Sequence, residues 1–251
     1  MKAAKRMITT LLLCCLLLCG PIVVRAKTKD YGKAKYDRTR WADIRADYLD
    51  TKTDRLIFVK CGGGTSATVE MWAKASKRPF SGLAAQKDVE QTGEEDTVQW
   101  EKIISCRAYT GVNGLDKKKE GDHKTPLGIF NITMGFGRKA SPGTDGIAYT
   151  KLNPYHYWSS EKETYNQFVD VRTLKKSRMS GEHLIAYNPE YNYALALDYN
   201  KECTYRKGSA IFLHCMGKNH YTMGCIAVPE QIMKEIVRNT TKHTKICIYR
   251  K

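Results

Sequence analysis

The chain has 251 residues, 42% of them hydrophobic, with 42 Lys and Arg against 26 Asp and Glu for a net charge of +16. Once a leader is set aside, that length suits one domain, and nine cysteines are too few for a disulfide-built scaffold of this size. A basic chain of this kind calls for an anionic partner.

Lys2, Lys5 and Arg6 precede an apolar run over residues 7–18, followed by Gly20-Pro21 and Val24-Arg25-Ala26. A positive start, an apolar centre and small residues at the cleavage positions predict a secretory signal peptide over residues 1–26, cut after Ala26. Residues 7–24 are also just long enough to span a bilayer, so an uncleaved anchor is the second reading. Leu18 before Cys19 is too bulky for a lipoprotein cleavage site. Both readings export the protein, and no later segment is long and apolar enough to span. Cys14, Cys15 and Cys19 lie in the leader; Cys61, Cys106, Cys203, Cys215, Cys225 and Cys247 lie beyond it, with pairing not legible from spacing.

Residues 27–35, rich in Lys, read as a tether. Trp41, Ile44, Tyr48 and Leu49 recur at helical spacing, so 27–54 is a basic tether ending in one short amphipathic helix. Residues 55–61 and 67–74 flank Gly62-Gly-Gly-Thr-Ser66, a hairpin signal. Residues 97–110 predict another strand, with 111–114 as a turn. Residues 125–133 begin in a bend fixed by Pro126 and Gly128 and continue as a strand. Residues 139–181 are polar and rich in aromatics, including Tyr155-His-Tyr-Trp158. They are too long for a simple connection, which makes them a binding loop or lid, or an accessory core. Strands resume over 193–199 and 210–215. Residues 229–237 predict a helix with Ile232, Met233, Ile236 and Val237 on one face, and 245–249 a closing strand. The fold is expected to be mainly β with peripheral helices.

The chemistry concentrates in residues 210–229. A buried strand ends in His214, a short polar loop follows, and Cys225 sits behind a Thr-Met-Gly turn. An imidazole and a thiol on neighbouring segments are the minimum for thiolate catalysis, in which the imidazole takes the thiol proton and the sulfur attacks a carbonyl. Gly224 supplies the sharp bend such a nucleophile needs. Alternation along the strand turns Ile211, Leu213 and Cys215 one way and Phe212 and His214 the other, so Cys215 reads as core. His214, Cys215, His220 and Cys225 are all zinc-capable, but adjacent strand residues cannot aim at one ion and no usual ligand spacing occurs. No metal or organic cofactor is expected.

The strand-borne histidine, loop and Thr222-Met-Gly-Cys225 turn, together with the upstream Gly121-Asp-His-Lys-Thr-Pro-Leu-Gly-Ile-Phe130, resemble the two signatures of the YkuD-type L,D-transpeptidases. The resemblance spans residues 55–251. It implies a β-sandwich-like catalytic domain that cross-links peptidoglycan stem peptides through a cysteine acyl-enzyme. Cys225 would be the nucleophile, His214 its base, and the turn of Thr222, Met223 and Gly224 the source of oxyanion donors. Tyr155, Tyr157 and Trp158 would wall the substrate site. With export, the anionic partner becomes a wall polymer or phospholipid headgroups and not nucleic acid, and the membrane is spanned only through the N-terminal segment if it stays uncleaved. Met223 stands where many members carry a histidine, and Ala227 where many carry Arg or Asn. Two rivals remain: an L,D-carboxypeptidase or wall hydrolase using the same site, and a catalytically silent wall-binding module.

Overall fold

The structure, a computed structural model, describes residues 40–49, 51–75 and 100–251. The expected leader and most of the expected tether lie outside the described residues. The described chain opens with α1 (Arg40–Asp47), followed by the hairpin β1 (Arg55–Cys61) and β2 (Ser66–Lys74). β3 (Trp100–Tyr109), β4 (Gly128–Gly137) and β5 (Tyr149–Lys151) come next. A small second sheet holds β6 (His156–Ser159), β7 (Phe168–Asp170) and β8 (Gly181–His183). β9 (Ala194–Leu197), β10 (Phe212–Cys215), β11 (Ile226–Val228), α2 (Glu230–Asn239) and β12 (Lys245–Arg250) complete the chain. The expectation of a mainly β fold with few helices holds.

The large sheet runs β12-β1-β2-β3-β11-β10-β9-β4-β5, and β12 also pairs with β4, so eight strands close into a ring. Alternating side chains sort to its two surfaces. Ile57, Val59, Val69, Leu195, Leu213, Ile226, Ile246 and Ile248 point inward and form the main core, joined by Met233, Ile236 and Val237 of α2. Their neighbours Leu56, Phe58, Trp72, Cys247 and Tyr249 face outward and are covered by Trp41 and Ile44 of α1. The helical spacing of those two residues is therefore accounted for by packing; Trp41 lies 5.2 Å from Phe58 between ring centroids. Tyr48 and Leu49 fall just past the end of the helix, in a turn.

Residues 139–181 are more ordered than a loop. β5 extends the large sheet along β4, and β6 is flanked by β7 and β8. Trp158 of β6 packs in a second outer cluster with Phe136 and Phe212, and Phe168 of β7 packs against it. The aromatic content of the segment thus builds an accessory core that fastens the small sheet over β4, β9 and β10. Gly181 permits the close approach of β8: it has φ +131°, and a Cβ there would lie 2.1 Å from the Trp158 carbonyl oxygen.

Candidate active site

β10 and β11 lie parallel, with His214 beside Ala227 and Leu213 beside Ile226. That pairing brings the residue just before β11, Cys225, level with the start of β10. Strand alternation places Leu213 and Cys215 in the main core and Phe212 in the outer cluster, as the pattern predicts. Cys215 donates its thiol hydrogen to the Tyr193 carbonyl at 3.4 Å, away from the histidine. His214 and Cys225, 6% and 8% exposed, line one cavity of about 300 Å³.

The histidine's tautomer is fixed by its partner. Nδ1 lies 2.8 Å from the Cys215 carbonyl oxygen, which can only accept, so Nδ1 carries the proton and Nε2 keeps its lone pair. Burial pushes the His214 pKa down, against smaller opposing effects of the Cys215 carbonyl and Glu190. The ring edge of Tyr191 meets the imidazole, with centroids 5.5 Å apart.

The thiol is held neutral at rest. Cys225 Sγ donates to the Ala210 carbonyl at 3.1 Å and accepts from the Phe212 N–H at 3.3 Å. Burial pushes the thiol up to about 12, and the nearby Glu182 charge adds to the rise; the Phe212 N–H and Lys117 act against it. No hydrogen bond joins Cys225 to His214, so proton transfer between them requires the sulfur to leave Ala210.

The turn before the cysteine is tightly made. Thr222 Oγ1 donates to the Cys225 carbonyl at 2.7 Å and accepts from the Gly224 N–H at 3.1 Å. Gly224 has φ +136°, and a Cβ there would come within 2.9 Å of the Lys124 carbonyl oxygen. The Thr222 N–H goes to Thr110. Met223 and Cys225 retain backbone N–H groups with no acceptor among the described residues. Met223 is 58% exposed and lines the mouth of the cavity.

The upstream signature meets this turn in space. Thr125 Oγ1 accepts the Gly111 N–H at 2.8 Å and donates to the Cys225 carbonyl at 3.4 Å. Asp122 orders the loop ahead of it by accepting from the N–H groups of Lys118, Lys119 and Lys124 and from the buried Lys117 ammonium at 2.8 Å. These four donors hold the Asp122 carboxyl well below the usual range, despite a raising effect of burial that is the largest single influence.

A second cavity of about 260 Å³ reaches Cys225 from the other side, lined in part by Trp158, His123, Glu182 and Met223. Of the three aromatics assigned to the substrate site, Trp158 lines this space. Tyr157 is buried with its ring stacked on His183, and Tyr155 is exposed beneath the Arg172 guanidinium. His220 stacks on Tyr109 with centroids 5.1 Å apart and lines neither cavity. Glu182, Glu190, Tyr191 and the Ala210 carbonyl had no signature in the sequence; His123 lay inside the upstream motif. All six cysteines among the described residues are free.

A buried thiol and a tautomer-fixed imidazole on one cavity form a site suited to acyl transfer. The sequence profile of the YkuD L,D-transpeptidase catalytic domain matches residues 89–248, and the chain belongs to that family. No individual curated protein matches it closely enough to count as a relative. The family acts on peptidoglycan stem peptides.

Proposed function

We propose that the protein is an exported peptidoglycan L,D-transpeptidase that works through a thioester on Cys225. The observation that carries this reading is the shared cavity, in which His214 offers an unprotonated Nε2 to the space that holds Cys225, the only cysteine among the described residues that lines either cavity. The thiol proton passes to His214 as the sulfur turns from Ala210 toward a bound donor peptide. The sulfur then attacks the carbonyl carbon before the terminal D-residue, and the oxyanion takes hydrogen bonds from the Met223 and Cys225 N–H groups. Each such donor is worth about 10²–10³ in rate. The C–N bond breaks, the leaving amine takes the proton from His214, and the thioester remains. An amine from a second peptide attacks it, a proton returns through His214 to sulfur, and a cross-link is made.

The net charge of +16 and the leader-like N-terminal sequence support export and adhesion to anionic wall polymers. N-terminal sequencing of the protein from its host tests this: Lys27 first means cleavage, an intact membrane-bound N-terminus means an anchor, and a soluble full-length cytosolic pool overturns export. The activity is tested by incubating purified wall fragments with wild type and Cys225→Ala. Cross-linked dimer should exceed hydrolysed monomer at saturating acceptor and vanish in the variant. Dominance of hydrolysed monomer at every acceptor concentration would make the protein a carboxypeptidase instead.

A further inference from the structure

The cavity shared by His214 and Cys225 is acidic and aromatic on a chain of charge +16. Its lining includes the carboxylates Glu182 and Glu190 and the rings of Tyr187, Tyr191 and Tyr221, but no Lys or Arg among the described residues. The neighbouring cavity differs. There Lys117 is paired with Asp122, and Glu120 accepts from Tyr165 and Ser209. In the His214 cavity one Glu182 oxygen accepts from the Tyr191 hydroxyl, and the other takes no donor among the described residues. Glu190 lies over Gly217, so closely that a Cβ there would collide with its Oε1. Its carboxylate has no hydrogen-bond or ion-pair partner among the described residues.

Negative charge set in a partly desolvated cavity without a cation is unfavourable. It is doubly so here, because a carboxylate beside the nucleophile opposes the thiolate that the reaction needs. Burial pushes Glu182 up to about 7, in keeping with a carboxylate desolvated in a cavity with no Lys or Arg among the described residues. A ligand cation resolves both problems at once: it would neutralise Glu182 and, by the same charge, favour the sulfur anion. The tyrosine faces add cation–π attraction.

We propose that Glu182 and Glu190 form a subsite for a primary ammonium group of the substrate, placed beside Cys225 and reached through the His214 cavity. The proposal rests on the transpeptidase reading for the identity of the peptides. The ammonium has two sources: a side chain of the donor residue whose carbonyl is attacked, or the incoming amine. In the second case the bound ammonium first gives one proton to a subsite carboxylate. The free amine then forms the C–N bond as the thioester C–S bond breaks, and its remaining proton passes through His214 to the sulfur. The small sheet of β6, β7 and β8 acquires a purpose on this view, since it is β8 that delivers Glu182 to the wall between the two cavities.

The test compares substrates with and without the charge. Donor peptides ending in D-Ala, with Lys or norleucine as the attacked residue, are offered to the full protein, and thioester formation is followed by mass spectrometry. Separately, a preformed thioester is resolved with n-pentylamine or with the mostly neutral nucleophile hydroxylamine. If the donor supplies the ammonium, Lys should outpace norleucine by about tenfold, the worth of a charge-assisted hydrogen bond, and Glu182→Gln should collapse the ratio. If the acceptor supplies it, the pentylamine-to-hydroxylamine ratio should collapse instead. Glu190→Gln, whose side chain contacts the Gly217 backbone, repeats both arms should the first variant fold poorly. Ratios unmoved by either variant overturn the subsite. If no peptide forms a thioester, calorimetric binding of n-pentylammonium against n-pentanol decides. Glutamate-dependent binding of the ammonium upholds the subsite while the transpeptidase reading falls, and equal binding overturns the subsite as well.

Discussion

Thr125 and Cys225, one hundred residues apart in sequence, meet at a single hydrogen bond: the threonine hydroxyl donates to the cysteine carbonyl at 3.4 Å while accepting the Gly111 N–H at 2.8 Å. The upstream motif and the cysteine-bearing motif are therefore one structural unit. Through Thr125 the upstream motif holds the backbone on which the nucleophile is mounted.

Replacing Thr125 with Val should leave the Gly111 N–H without its acceptor in a buried site. The expected loss is about 1–3 kcal/mol of stability, read by denaturant unfolding. A larger relative loss is expected in the rate of Cys225 acylation, since the turn is no longer held. Equal acylation rates in wild type and variant would show that the turn keeps its shape without this bond.

Gly224→Ala sets a Cβ 2.9 Å from the Lys124 carbonyl oxygen at φ +136°. Strain of this kind costs about 1–3 kcal/mol, and the displaced turn should abolish acylation even where the protein still folds. Circular dichroism and adduct formation, measured together, separate the two effects.

Cys225 should be the one thiol acylated by a carbapenem, an expectation that follows from family membership. Burial raises the thiols of Cys61, Cys106 and Cys215 to about 12, the same level as Cys225. Ionisation alone does not distinguish them; access to a cavity and an imidazole does. Intact-protein mass spectrometry should show one adduct that Cys225→Ala removes. An adduct surviving that substitution sinks the assignment.

His214→Ala should slow acylation by about 10²–10⁴, while His220→Ala, whose ring lies on Tyr109, should have a modest effect. The pH profile carries the sign of the histidine's shift. Its folded pKa lies below the ordinary 6.5, so the neutral base persists under that pH and the acid limb of the acylation rate falls below 6.5. Stability follows the same direction. As pH drops through 6.5 the unfolded imidazole binds a proton that the folded one refuses, so wild type loses stability, and His214→Gln should lose less. His156 shifts the same way, so the two proteins must be compared over one pH series.

Glu182→Gln should behave in the opposite sense. Its folded pKa near 7 lies above the ordinary 4.5, so the stability it contributes is full below pH 4.5 and is lost as pH rises through 7. At pH 8 the variant should be the more stable protein by about 2–4 °C in Tm, the equivalent of about 1 kcal/mol. A lower Tm for the variant at pH 8 would show that the carboxylate is better accommodated than its surroundings suggest.

Most of the scaffold was legible in the sequence because its signals are local. The Gly-rich hairpin of β1 and β2, the one-sided helix α2 and the inward–outward alternation of β10 each depend on residues close in the chain. His214 and Cys225 were legible for the same reason, lying on neighbouring segments. Residues 139–181 gave a weaker signal: strands of three and four residues are too short to show a period, and their aromatics suit a lid or a core equally. Trp158 and Phe168 decide for packing, and Trp158 also borders the site. Glu182, Glu190 and Tyr191 were invisible because nothing near them in sequence resembles a site. Glu182 reaches the cavity through a β8–β6 pairing that only the folded chain reveals, and Glu190 and Tyr191 through a short 3-10 turn packed against β10.

The closure of the ring through β12 has a kinetic consequence. Leu56 lies beside Lys245, and Asn131 lies beside the same lysine from the other side, so one late strand satisfies two edges formed much earlier in the chain. Pairings of such long range make folding slow, and until β12 docks, β1 and β4 both present open backbone to neighbouring molecules. The interval before closure is when this protein is most exposed to aggregation, and a binder that occupies the β1 edge would stall it there.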